Sequence, residues 1–418
     1  MNTNSRLSNA YLDIYNRYVG EASFLWLMRS IAVNQPHYNV ADVKALEERI
    51  QVQLDGLMTS IDIAWEVCEK SLEQNGPGEV FTAAIIAFKS HDSVKIQKIV
   101  DAGLVSDAAF AGLVSALAWL PSKISHPWTQ KFLISKDLNH KYLAISQCSV
   151  RRENPGEYLL KFLQREDCLK HEKLYISCLK IMGELKRHDL VSELNKAINS
   201  ENEKIAFWAN WSAILLGNKL LVNKMELYIF KPSSFQNKAL NLAFRVLSIN
   251  DARNWITRLS SDTKNLRLVI KATGILGDPH AVEWLILKMR EAKHARLAAE
   301  SFTMITGIDL VQHGLTQAPP DNYEPLPSEN TNDGSAEMDE DENLPWPNAA
   351  LIGSSWKSLS GQLIKGQRYF LGKEINAGNL SMHIQYAYQR QRHNAAMELA
   401  LSDVSKILQN TCAKVSQG

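Results

Sequence analysis

The sequence predicts an all-α protein built as a HEAT-like α-solenoid, with an N-terminal helical cap and a small C-terminal helical module. Three observations carry that prediction. Apolar residues recur at three- and four-residue steps along most of the chain, the period of a helix with one buried face. Residues suited to ending helices return at near-constant intervals, as stacked two-helix repeats require. No alternating apolar pattern or hairpin dipeptide supplies a competing strand.

The cap spans 1–77. Glu21 to Val33 reads as an apolar-rich helix carrying Phe24, Trp26, Leu27 and Met28, and Pro36 separates it from the next, because proline cannot continue the helical hydrogen bonding. Val43, Leu46, Ile50, Leu54 and Leu57 then mark an amphipathic helix with Glu47, Glu48 and Arg49 on its opposite side. Asn75-Gly76-Pro77-Gly78 breaks the chain again.

The repeats span 78–310. In the clearest copy a helix ends at Leu276-Gly277, where glycine takes the left-handed conformation at little cost. Asp278-Pro279 opens the next helix, Asp as cap and Pro in its first turn, and Ala281, Leu285 and Met289 supply the buried face. Equivalent turns fall near Ser149, Gly183, Gly217 and Ser248, giving a period of roughly 29 to 34 residues.

A linker spans 311–345. It is rich in proline and contains Asp333 to Glu342, a run of acids without a base; such a stretch cannot bury enough apolar surface to offset its ordering entropy. Without those acids the rest of the chain carries about +7, which makes the run a candidate to fold back over a basic concave face. The C-terminal module, 346–418, follows, with a long helix expected from about Ser381 to Leu408.

Composition narrows the function. Lys and Arg number 46 against 45 Asp and Glu, so no global positive field draws the protein to nucleic acid or anionic lipid. The five cysteines are scattered, without the close spacing of a zinc site, and are expected as free thiols in a reducing compartment. No apolar run approaches the ~20 residues that span a bilayer. The expected compartment is the cytoplasm.

No catalytic constellation emerges, and neither a cofactor nor a metal is expected. The histidines show no zincin-type pair on one helix. His91-Asp92 and His188-Asp189 are sequence neighbours that point about 100° apart on a helix, and are read as surface or helix-end residues. Gly76-Pro77-Gly78 lacks the Lys and Ser/Thr of a phosphate loop, and there is no Gly-x-Ser-x-Gly elbow. Phe207, Trp208 and Trp211 are read as solenoid core. The candidate partner-binding residues are Trp346, Arg368, Tyr369, Arg390 and Arg392, since arginines and aromatic side chains dominate interface hot spots. The alternative is that they bind the terminal module to the solenoid.

The segment Gly277-Asp278-Pro279-His280-Ala281-Val282-Glu283-Trp284-Leu285, with His294 to Glu300 after it, resembles the HEAT-like repeats of bilin-lyase-type solenoids. Several stretches together resemble one bacterial HEAT-repeat family often encoded in type VI secretion gene clusters: Glu21 to Arg29, Leu54 to Leu57, Pro77 to Phe81, Gly277 to Val282, Ile305 to Leu310, Leu344 to Pro347, Arg368 to Gly372 and Gln389 to Arg392. The resemblance is weakest between about 120 and 260 and supplies no catalytic residues. It implies a non-catalytic adaptor or chaperone for an effector or spike component, with an immunity protein that neutralises a toxic effector as the alternative.

Overall fold

The computed structural model describes residues 3–74, 76–321, 323 and 340–415. Among them are 22 α-helices and one two-stranded hairpin, so the fold is all-α. About half of the linker predicted at 311–345, and most of its acidic run, lies outside the described residues. The chain forms two compact units, one of residues 1–212, 388–390 and 407–418, the other of 213–387 and 391–406.

The first unit begins with a helix longer than the sequence suggests, Thr3–Ala32. Its polar start hides a clean stripe: Tyr15, Val19, Ala22, Trp26, Arg29 and Val33 are all buried, at helical spacing. Val40–Leu57 follows, capped by Asn39 and Asp42 in a reciprocal capping box. Glu47, expected on its solvent side, is buried instead, because Arg29 reaches it at 2.8 Å.

Beyond residue 77 an inner helix alternates with an outer one. In the first unit the inner helices are Pro77–Ser90, Asp107–Trp119, Leu138–Arg151 and Glu172–Glu184, each packed on the next. Small residues let them close up. A Cβ on Gly112 would sit 2.2 Å from the Pro77 carbonyl, and one on Gly78 2.4 Å from that of Ser23. Ser212 donates to the Leu179 carbonyl at 2.7 Å. Phe207 and Trp211 are core, as expected, whereas Trp208 is half-buried beneath the Lys180 ammonium. His91 and Asp92 end one helix and cap the next, and Asp189 pairs with Arg187 at 2.6 Å.

In the second unit Gln236–Val246, Leu266–Leu276 and Ala292–Thr306 repeat the inner layer. Gly277 takes φ +74° and Asp278 caps the next turn, as the sequence predicts. Glu340 and Asp341, the described start of the acidic run's return, pair with Lys271 at 2.6 Å and Arg267 at 2.7 Å.

Two features depart from expectation. Tyr369–Phe370 and Lys373–Glu374 form a hairpin whose turn, Leu371 and Gly372, has positive φ at both positions. That conformation suits a tight hairpin turn, although no Asn-Gly or Asp-Gly pair announces it. The hairpin backbone is fixed by the helix ends beneath it: Tyr369 donates to the Gly277 carbonyl at 2.8 Å and Leu371 to that of Met304 at 2.7 Å. The long terminal helix is in fact two, Ala377–Tyr386 and Gln389–Ser402. Neither Gly nor Pro marks the break. The amide of Gln389 donates instead to the Tyr38 carbonyl at 2.8 Å, an interaction no local pattern encodes.

Asp278 also accepts from the Gly366 amide at 2.9 Å and from Arg253. Burial alone would raise its carboxyl pKa, but the amides of Gly366 and His280 and the Arg253 guanidinium outweigh it and hold the pKa below the ordinary value of 3.8. A depressed carboxylate stabilises the fold above the unfolded pKa and loses that contribution as pH falls through the folded one. Asp278→Asn should therefore cost about 1–3 kcal/mol at pH 7, and its deficit should shrink as pH falls below the ordinary carboxylate range. Urea titrations of both proteins at neutral pH and below that range check this; an equal deficit at both would show that the charge is irrelevant.

Candidate functional site

The residues proposed from sequence as a binding surface are engaged within the chain. Arg368 donates to the carbonyls of Leu276 and Arg245, each at 2.9 Å, and pairs with Glu398 at 3.0 Å. Tyr369 is buried, its hydroxyl accepting from the Ile364 amide at 3.2 Å. Arg392 donates to the Ile384 carbonyl at 2.7 Å and Arg390 to that of Asn34 at 3.1 Å. Trp346 stands edge-on to Tyr323 at 4.7 Å, with the Arg296 guanidinium 5.0 Å from its ring, and lines a cavity of about 310 Å³ beside Met289 and Arg290. Each has a partner within the chain. Arg368 and Arg390 reach residues outside the terminal module, as the alternative supposed, whereas Arg392 and the Tyr369 hydroxyl are engaged locally, and Trp346 meets Tyr323 and Arg296.

A different feature stands out in the first unit. Residues 407–410 have no regular secondary structure and 411–415 turn, and together they lie as a strap on the helices of this unit. Leu408 donates its amide to the Glu184 carbonyl at 2.9 Å, and the Asn410 side chain donates to the Val150 carbonyl at 2.7 Å. Both acceptors come from final helical turns, where carbonyls lack a helical partner. Arg152 Nε donates to the Leu408 carbonyl, and Arg29 Nη2 donates to those of Cys412 at 2.9 Å and Ala413 at 3.1 Å. The Glu47 carboxylate accepts from the Val415 amide at 2.9 Å, and Lys414 lies 4.4 Å from the Trp119 ring. The strap thus meets both acceptors and donors along its backbone.

Charge inside this groove is balanced locally. Arg152 pairs with the buried Glu184 at 3.2 Å and Lys180 approaches the same carboxylate at 3.6 Å. Burial lowers the pKa of the Arg152 guanidinium, against the pull of Glu184. Burial lowers that of Lys414 too, Glu47 opposing. Such groups are expensive to bury unless paired. Their positions are therefore set by their partners.

Beside the strap the groove keeps a cavity of about 450 Å³, walled by Phe110, Val114, Tyr142, Val150 and Lys180, with Asn410 and Cys412 at its edge. The Phe110 and Tyr142 rings stack nearly parallel, centroids 4.2 Å apart. They occupy matching positions of successive inner helices, so alignment of those two repeats would have found the pair. Arg29, Glu47, Arg152 and Glu184 carry no such signal.

Among the described residues no group of three or more His, Cys, Asp or Glu side chains could hold a metal ion. Cys68, Cys148 and Cys178 are buried thiols whose pKa burial pushes up, that of Cys148 to about 12, the opposite of nucleophile activation. Among the described residues no helix is long and apolar enough to cross a membrane. Comparison with protein families, with curated proteins and with solved structures finds no match for this chain.

Proposed function

We propose that the protein is a non-catalytic scaffold that binds another protein, acting as an adaptor or chaperone for an effector or spike component of a type VI secretion system. The observation that carries the binding part is the groove in the first unit, which holds residues 407–415 in large part through their main chain. Stacked helix pairs supply long surfaces of this kind. Cavities with apolar walls and a few convergent polar groups are where ligands are ordinarily held. The secretion setting rests on the sequence resemblance alone, and a cytoplasmic location goes with it.

The test combines cross-linking with genetics in the native bacterium. A photoreactive residue at Lys180, which stands at the cavity and is 40% exposed, should cross-link to an effector or a spike component. Deletion of the protein should abolish attack on neighbouring cells while leaving the mutant resistant. If deletion instead makes cells sensitive to a toxin delivered by kin, the protein is an immunity protein. If attack, resistance and the cross-linking pattern are all unchanged, the scaffold reading fails.

A further inference from the structure

The strap is held in large part through its main chain. Arg29 and Arg152 address its carbonyls, while the Glu184 carbonyl and the Glu47 carboxylate take its amides. Any chain that follows the same course, turning over the stretch of 411–415, would offer these groups. It also fits its groove incompletely: at the cavity of about 450 Å³ the strap presents Cys412, a small side chain, opposite the apolar wall of Phe110, Val114 and Tyr142. The cavity is open to solvent on one side, so a bulkier side chain than that of Cys412 has a way into it.

We propose that the groove is a receptor for a segment of the partner protein that follows the course of the strap, and that residues 407–415 are its built-in competitor. The incoming segment takes over the backbone partners of the strap and places a large apolar side chain, leucine or phenylalanine, where Cys412 lies. This inference rests on the scaffold reading and adds the form of the partner. Tethering gives the strap an effective concentration in the millimolar range. A segment that also fills the cavity outcompetes it by the added apolar burial.

The test uses the full chain with a protease site in place of residues 404–406, which are exposed. Cleavage leaves the strap held without covalent attachment in an otherwise complete protein. Labelled synthetic peptides of residues 405–418, one with the natural sequence and one with Cys412→Leu, are followed by fluorescence anisotropy. The uncut protein should bind either peptide at least thirtyfold more weakly than the cut one. In the cut protein the Cys412→Leu peptide should bind five- to tenfold more tightly than its parent, and Ala111→Trp, which fills the cavity from its rim, should erase that gain. Failure of the cut protein to take up peptide overturns the proposal, as does a leucine peptide no tighter than its parent. Either result leaves the cross-linking test of the scaffold reading standing, so the two fail separately.

Discussion

Glu398→Ala should destabilise the second unit by about 3–5 kcal/mol, the cost of leaving a buried charge without its partner. Two guanidinium groups depend on this carboxylate. Arg245, with its side chain 2% exposed, lies 3.1 Å from it, and Arg368 lies 3.0 Å away on the other side. Arg245 has further acceptors in the Asn241 carbonyl and in Asn394 at 2.8 Å, but neither carries charge. Burial already lowers the Arg245 pKa to about 10 with Glu398 in place. A base with a depressed folded pKa is a burden at any lower pH, relieved as pH rises through that value. Without Glu398 the relief begins at lower pH, so the deficit of the variant should narrow as pH approaches 10. Urea unfolding at pH 7 and pH 10 measures both effects. The double variant Arg245→Met with Glu398→Leu should recover the part of the loss that belongs to Arg245, because an apolar pair of similar volume often replaces a buried ion pair without penalty, while Arg368, 19% exposed, still lacks its carboxylate. A Glu398→Ala protein as stable as the parent would mean that the carboxylate does not neutralise this pair.

Gly277→Ala should cost about 3 kcal/mol, from two separable causes. At φ +74° a side chain incurs the left-handed penalty, about 1–2 kcal/mol. The added Cβ would also stand 2.2 Å from the Tyr369 carbonyl oxygen, and backbone cannot rotate aside as a side chain can; such overpacking costs about 1–3 kcal/mol. Gly156 provides the control. It has φ +65° with ψ −136°, a region that side chains avoid more strictly than the left-handed helical one, and nothing within 4 Å of a Cβ, so Gly156→Ala should show a conformational penalty without a clash, about 1–3 kcal/mol. Amide exchange at Tyr369, bonded to the Gly277 carbonyl at 2.8 Å, should accelerate in the Gly277 variant and not in the Gly156 variant. Unchanged exchange at Tyr369 in the Gly277 variant would mean that the hairpin yields freely.

These residues also mark how far the sequence could be read. The left-handed turn at Gly277 and the cap at Asp278 were legible because both are local preferences of one residue type. The stack was legible from Ser149 onward for the same reason: helix ends announce themselves. The earlier inner helices were harder. Asp107–Trp119 is apolar on nearly every side, with Ala109, Phe110, Leu113, Val114, Ala116, Leu117 and Trp119 all buried, and a helix buried all round has no periodicity to detect. Arg368 and Tyr369 drew attention as residue types favoured at interfaces, but those types also suit internal hydrogen bonding and stacking, and composition does not separate the two uses. The groove was invisible. Its parts come from Arg29, Glu47, Arg152, Glu184 and the segment 407–415, none of which is a neighbour of the others in sequence.

That separation sets a schedule for synthesis. Stacked helical repeats fold on contacts between neighbours, so the inner helices up to residue 184 have what they need soon after they leave the ribosome. The strap does not. Cys412 meets Arg29 across 383 positions of chain. At the usual 5–20 residues per second, translation from the end of the first unit's helices to Leu408 takes on the order of ten to forty seconds. Throughout that interval every nascent molecule displays the carbonyls of Val150 and Glu184 and the guanidinium groups of Arg29 and Arg152 with no strap against them. Newly made chains are therefore the population most open to capture.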